Sequence, residues 1–234
     1  TGKKLLEKSR EGKRMSIEAV IFDVDGTIWD AVQEVAESWT EAFSRFPETK
    51  DKVVHASDLE SYMGLTMEQI GEGLLPDLSK EKREEIMCYA MNYENVYLAE
   101  HPGSFYPDFF TCLKSLRENG KKLYIVSNCQ SGYIEAMLSA AKLSLGAGKD
   151  IQDIECFGNT GKSKAENISL LMERNRLSKE KTVYLGDTEL DRESSEKAGI
   201  AFIFAGYGFG SPKQYAAKIQ GLSELPKLLE EFKG

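Results

Sequence analysis

Histidine and cysteine are scarce in this 234-residue chain, which has two of the first and four of the second. No two of Cys88, Cys112, Cys129 and Cys156 form a C-x-x-C pair, and the chain is not small. Neither a zinc site nor a disulfide framework is therefore indicated. The four thiols read as small buried hydrophobes in a reducing compartment, so a cytoplasmic location is expected. A Ser-His-Asp mechanism would have to use His55 or His101, and no G-x-S-x-G motif supports it. No apolar run reaches the roughly 18 residues of a membrane span, so no membrane partner is expected. Positive charge is also in deficit: 30 Lys and Arg stand against 38 Asp and Glu, a formal net charge of −8. A nucleic-acid partner needs a basic face and is not expected. An acidic protein can still hold phosphate where a metal ion and one lysine reverse the local field.

With 41% hydrophobic residues and charges of both signs interspersed, the chain is an ordinary soluble globular protein. Its length suits one large domain, or a core plus a small second domain. Residues 1–14, basic but without an apolar signal core, read as an N-terminal extension, disordered or helical, with Met15 as a plausible start of the folded chain.

The most informative stretch is Ala19-Val20-Ile21-Phe22-Asp23-Val24-Asp25-Gly26-Thr27. The apolar run is a buried strand. It ends in two acids, Asp23 and Asp25, with Val24 between them. Gly26 then permits a sharp turn. In open α/β sheets the carboxyl ends of strands are where ligands bind. Two carboxylates there are costly to desolvate unless a metal or a hydrogen-bond network holds them. The pair suits one nucleophile and one acid/base.

After Asp30 the apolar residues Val32, Val35, Ala36, Trp39, Ala42, Phe43 and Phe46 follow helical spacing, and Pro47 breaks the helix. Residues 50–100 hold further helical pieces and no good strand: 58–62, 66–71 with Thr66 as N-cap, and 79–99 starting at Ser79. His101-Pro102-Gly103 closes the region. From Pro107 strand and helix alternate. Helices are expected at 108–118, 132–141, 166–176, 190–198 and 222–232, and strands at 123–126, 154–157, 182–185 and 200–204. Residues 158–164 read as a loop. The alternation predicts an α/β fold, a Rossmann-like parallel sheet with helices on both faces. The helical segment is too long for a crossover and reads as an inserted domain over 33–102, with 15–32 and 103–234 forming the core domain. There are no internal repeats or low-complexity tracts.

Polar residues sit at the ends of successive strands: Asp23 and Asp25, then Ser127 and Asn128, then Lys162 and Lys164 in a loop, then Asp187 and Asp191. All would converge at one sheet edge. Singly, each has a plainer explanation as a cap or turn residue. Four in this order point to one site.

Asp23-x-Asp25-Gly26-Thr27, Ser127-Asn128, a lysine, and Gly186-Asp187-x-x-x-Asp191 resemble the four motifs of the haloacid dehalogenase superfamily, over about residues 18–232. The helical insert after the first motif resembles the cap of phosphoglycolate-phosphatase-like members. Met63-Gly64-Leu65-Thr66 is similar to their cap loop, and Tyr106-Pro107-Asp108 to their Tyr-Pro-Gly re-entry, with Asp in place of Gly. The resemblance implies a phosphatase acting on a small phosphorylated substrate, phosphoglycolate-like or a sugar phosphate. Asp23 would be the nucleophile and Asp25 the acid/base. Ser127, Asn128 and Thr27 would bind the phosphoryl group, with Gly64 and Thr66 on the cap side. Mg²⁺ would be held by Asp23, the Asp25 carbonyl and Asp187, and Asp191 would orient water or the lysine. That lysine is Lys164 by the helical periodicity of Ile168, Leu171 and Leu177, or Lys162 by the gap to Gly186. Ala165 follows it where the family has proline. Monomer and homodimer are both compatible.

Other readings are a phosphomutase of the beta-phosphoglucomutase type and a pyrophosphatase on the same fold. The mutase would carry an arginine in the cap loop, and Gly64-Leu65-Thr66-Met67-Glu68 has none. A dehalogenase would lack Asp25. Phosphonoacetaldehyde hydrolysis needs a cap lysine, for which Lys50 and Lys52 are candidates that read as a solvated linker. A binding protein without catalysis should have lost one of these acids, and none is missing.

Overall fold

The computed structural model describes residues 16–62 and 64–232; the extension at 1–14, Met15 and Met63 lie outside the described residues. Six parallel strands form the main sheet: β1 (Ala19–Phe22), β4 (Lys122–Ser127), β5 (Asp153–Cys156), β6 (Thr182–Gly186), β7 (Ala201–Ala205) and β8 (Ala217–Ile219). Their spatial order is β5-β4-β1-β6-β7-β8. The chain steps outward from β1 through β4 to β5, then crosses back to β6 on the other side of β1. The order therefore reverses beside β1, where open α/β sheets leave a crevice at the strands' carboxyl ends.

The centre of the sheet is buried on both faces, which is why β1 (AVIF) is apolar throughout, while the outer strands β5 and β8 carry Asp153, Glu155 and Lys218. Alternation divides the central strands cleanly. Ala19, Ile21, Tyr124, Val126 and Tyr184 pack with Ile168, Leu171 and Met172 of α8 (Lys164–Arg174) and Ala198 of α9 (Glu189–Ala198). Val20, Phe22, Leu123, Ile125 and Leu185 face the opposite layer. That layer holds α5 (Phe109–Glu118), α6 (Tyr133–Ala140) and α10 (Leu225–Glu231).

Between β1 and β4 lie α1 (Val32–Phe43), α2 (Ala56–Glu60), α3 (Met67–Leu74) and α4 (Lys80–Glu100). Helix α1 packs along α4, and α4 reaches α6 of the sheet layer. Thr66 and Ser79 cap α3 and α4 through their side chains, as their types predict. The chain enters and leaves this segment through an antiparallel ribbon, β2 (Trp29–Asp30) with β3 (Ser104–Phe105). Asp108 has φ +64°, a left-handed conformation that glycine adopts freely and Asp tolerates.

Several expectations need correction. Helix α1 stops at Phe43, before Phe46 and Pro47. Residues expected as a loop after β5 include a one-turn helix, α7 (Phe157–Thr160). Helix α8 begins at Lys164, earlier than periodicity placed it, because Ser163 and Glu166 form a reciprocal capping box. The cap starts this helix without the family's proline. Strands β2, β3 and β8 have two or three residues each, too few for a period to register.

Gly158 of α7 donates its N–H to Cys129 O at 3.0 Å, which docks this turn on the loop after β4. A Cβ there would fall inside contact distance of backbone atoms of Gln130 and Ser131, which cannot rotate away. Overpacking of this kind costs about 1–3 kcal/mol. Gly158→Ala is expected to lower Tm by roughly 2–10 °C in a circular-dichroism melt. An unchanged Tm would show that the two loops are not docked.

Candidate active site

Asp23 follows the last residue of β1, its N–H donating to Leu185 O of β6 at 2.9 Å. Pairing stops there. Asp25 sits just before Gly26, which closes the turn at φ +76°. Both acids line one cavity, as residues two apart on an extended chain do. Ser127, Asn128, Gly64 and Leu65 line the same cavity.

Lys164 is buried, and its Nζ lies 3.0 Å from Asp23 Oδ1 and 2.7 Å from Asp191 Oδ1. Lys162 is exposed and its peptide groups serve the α7–α8 turn. Of the two lysines, the structure brings only Lys164 to the acids. Asp191 Oδ2 accepts from Asp187 N, Thr188 N and Thr188 Oγ1 at 3.2, 2.9 and 2.7 Å. Both its oxygens are thus engaged, and Tyr184 lies beneath with its hydroxyl bonded to Val126 O.

Asp187 Oδ2 accepts the Phe209 N–H at 2.8 Å, and Thr27 Oγ1 reaches Asp187 Oδ1 at 3.3 Å. Thr27 is fully buried behind Asp187 and does not line the cavity. Thr66 does not line it either: its hydroxyl caps α3 and contacts Gln69. The glycine-rich loop after β7 reaches the site because it lacks side chains. A Cβ on Gly208 would collide with Gly26 O and Asp187.

One carboxylate oxygen each from Asp23, Asp187 and Asp191 lies within 4.8 Å of the others. With all three ionised beside one lysine, two negative charges stay uncompensated in a buried site. Burial pushes Asp23 well above the carboxylate range, and repulsion from Asp191 and Asp187 adds to it, against the attraction of Lys164. Burial and Asp191 push Asp187 up to about 7. The Lys164 ammonium is held protonated: burial works against its charge, and Asp191 and Asp23 outweigh that. A divalent cation would supply the two missing charges, and an all-oxygen donor set suits a hard ion. The residues present fit such a group.

Asp25 is set apart by its partner. Tyr133 Oη donates to Asp25 Oδ1 at 2.6 Å. Burial nevertheless raises Asp25 to about 6, with Tyr133 and Lys164 opposing the rise. Tyr133 drew no attention in the sequence, where it reads as an apolar position of α6. Glu94 was missed for a similar reason. It lies in the longest helix among many charged residues, yet it is 1% exposed and lines the cavity. Its Oε2 accepts Trp39 Nε1–H at 2.5 Å.

The ends of β1 and β6 and the start of α9 thus bring three carboxylates around one buried lysine at the carboxyl edge of a parallel sheet. The family profile described as haloacid dehalogenase-like hydrolase matches residues 20–205. The chain belongs to this family. A phosphoglycolate phosphatase from Rhodobacter capsulatus is 25% identical over 222 residues, 91% of this chain and 96% of that one. Another from Aquifex aeolicus is 26% identical over 81% of this chain and 85% of that one. A haloacid dehalogenase-like family hydrolase from Streptococcus pneumoniae shares the fold at TM-score 0.73 and 21% identity, covering 90% of this chain and 97% of that one. Among the described residues no helix is long and apolar enough to cross a membrane.

Burial pushes the Glu94 carboxyl from 4.5 up to about 7, against hydrogen bonds from Gln130 and Trp39. The folded state therefore holds the proton more tightly than the unfolded chain. Its stabilising contribution is complete below pH 4.5 and is lost as pH rises through about 7. The full loss is about 3 kcal/mol. Glu94→Gln cannot ionise. Its Tm relative to wild type should rise by several degrees between pH 5 and pH 8. A pH-independent difference would place Glu94 in water.

Proposed function

We propose that this chain is a Mg²⁺-dependent phosphatase that hydrolyses a small phosphomonoester through an aspartyl-phosphate on Asp23. The observation that carries the reading is the Lys164 ammonium 3.0 Å from Oδ1 of Asp23, which lines the same cavity as Asp25. Names of relatives at about 25% identity support the reaction class more than the leaving group.

In this mechanism an Asp23 oxygen attacks phosphorus as the bond from phosphorus to the ester oxygen breaks. Asp25 gives its proton to the departing alkoxide. A carboxyl raised to about 6 carries that proton in a useful fraction of molecules near neutrality. Asp25 then takes a proton from water as that water attacks the phosphoryl group on Asp23, returning the free carboxylate. Splitting the hydrolysis into two displacements lowers each barrier. The Tyr133 hydroxyl on Oδ1 turns the other Asp25 oxygen toward the leaving group. Lys164, the Ser127 hydroxyl and the main-chain N–H of Asn128 meet the charge on the phosphoryl oxygens. Asp191 holds Lys164 in place. The carboxylates of Asp23 and Asp187 and the carbonyl of Asp25 would hold the Mg²⁺. When bound, that ion would neutralise charge on the transferring group.

Residues 33–102 would act as a cap over a core of 15–32 and 103–234. Asn128 Nδ2 donates to Gly64 O at 2.7 Å, which supports closure of the cap loop onto the strand end. Gly64–Glu68 offers no arginine for a second phosphate, which favours hydrolysis over mutase chemistry.

Purified protein should release phosphate from acetyl phosphate with Mg²⁺ present, lose this turnover on EDTA treatment, and regain it when Mg²⁺ is restored. Full activity in a metal-free sample would sink the mechanism.

Asp23→Asn keeps the shape but removes the nucleophile. Its kcat should fall at least about a thousandfold with the fold intact by circular dichroism. A folded variant with retained turnover would move the nucleophile elsewhere.

A further inference from the structure

The cavity over the two acids has an unusual lining. Among its described lining residues none is Lys, Arg or His. Lys164 lies at its floor, engaged by Asp23 and Asp191. Its upper wall, from α1, α3 and α4, is apolar apart from Glu94.

Two amide oxygens add to this. Among the described residues, Gln130 Oε1 and Asn128 Oδ1 are buried without a hydrogen-bond partner. Their orientation follows from their neighbours. Asn95 Nδ2 donates to Ser131 O at 2.9 Å, which leaves Asn95 Oδ1 to accept Gln130 Nε2 at 3.4 Å. The free atom of Gln130 is therefore its oxygen. Asn128 Nδ2 is likewise committed to Gly64 O, so its oxygen is the free atom. Both residues line the cavity with Glu94. A buried acceptor left without a donor costs about 1–3 kcal/mol. Three acceptors, one on α4 and two on the loop after β4, ask for several donors from one ligand.

We propose that the leaving group is a short uncharged polyol whose hydroxyls donate to Glu94, Gln130 and Asn128, and that Glu94 makes the site reject leaving groups bearing a carboxylate. The proposal rests on the phosphatase reading above and selects within it. Above the pH of about 7 at which Glu94 ionises, a carboxylate in this cavity would meet its charge and two amide oxygens, with no cationic side chain among the described lining residues to pair it. Burying an unpaired charge is far costlier than burying a hydroxyl that finds an acceptor. The cavity volume of about 50 Å³ limits the leaving group to a few heavy atoms while the cap loop stays bonded to Asn128. Separate acceptors also favour donors spread along a chain over a single ammonium. Sites built to hydrogen-bond a hydroxyl discriminate strongly against analogues that cannot donate.

Glycerol 3-phosphate and 3-phosphoglycerate test this well. They have the same chain length and differ in a terminal CH₂OH against a carboxylate. At pH 8 with Mg²⁺, where Glu94 is ionised, wild-type kcat/KM should favour glycerol 3-phosphate at least tenfold, and 2-phosphoglycolate should be as poor as 3-phosphoglycerate. In Glu94→Gln the charge repulsion is gone, and the ratio of glycerol 3-phosphate to 3-phosphoglycerate should fall at least fivefold. Gln130→Leu, which removes an acceptor without touching Glu94, should raise KM for glycerol 3-phosphate more than for acetyl phosphate. Acetyl phosphate turnover separates the two levels of failure. If acetyl phosphate is hydrolysed and the carboxylated esters are preferred, or the ratio is unchanged in Glu94→Gln, the leaving-group proposal is overturned and the phosphatase reading stands. If acetyl phosphate is not hydrolysed, both fall.

Discussion

The arrangement depends on one electrostatic constraint: three carboxylates from β1 and the β6–α9 junction crowd around a single buried ammonium, Lys164. Like charges at this spacing cannot all ionise cheaply in a low-dielectric site. The upward shifts of Asp23 and Asp187 express that cost. The surrounding structure counters it with fixed donors. Asp191 takes two backbone N–H groups and a hydroxyl at the start of α9, Asp187 takes the Phe209 N–H, and Lys164 is delivered from the first position of α8. What stays uncompensated amounts to the charge of one divalent cation. A fold that gathers these acids around one ammonium trades stability for function at the strand ends.

The features that position these groups are ordinary consequences of α/β topology. Reversal of strand order beside β1 opens the crevice, and both faces of the sheet must be covered, so helices crowd its edges. The glycine-rich loop after β7 can reach Asp187 because Gly208 has no side chain to collide with it. The capping box of Ser163 and Glu166 sets where α8 begins, and with it where Lys164 points. That cap replaces what a proline does in relatives, so one helix start can be specified by different chemistry.

Much of this was legible in the sequence because its signals are local. The apolar strands, the caps at Thr66 and Ser79, and the order of acids at strand ends follow from period and residue type alone. Periodicity also chose Lys164 over Lys162, which the burial of one and exposure of the other support. Other parts were illegible because they arise from pairing across long separations. Strands β2 and β3 have two residues each and exist only because positions 29–30 meet 104–105. Main-sheet pairing of β1 ends at Asp23, and no residue type at that position signals where a strand stops pairing.

Glu94 and Tyr133 show the limit most clearly. Glu94 sits in a helix crowded with Lys and Glu, where a charged residue reads as solvated surface. It is buried because α1 packs along α4 and brings Trp39 over it, a contact across 55 positions. Tyr133 reads as a core aromatic, and its ring does pack near Trp29; only the tertiary fold places its hydroxyl on Asp25. Both belong to the same physical class: polar atoms on side chains whose bodies are buried for packing reasons. Once buried, such atoms must find partners, and at this cavity the available partners are Asp25, Gln130 and whatever the cavity admits. The four motif positions define where chemistry occurs at the sheet edge, whereas the helical segment decides which polar atoms look down on it. On the function proposed above, specificity would therefore rest on burial of residues that no motif marks.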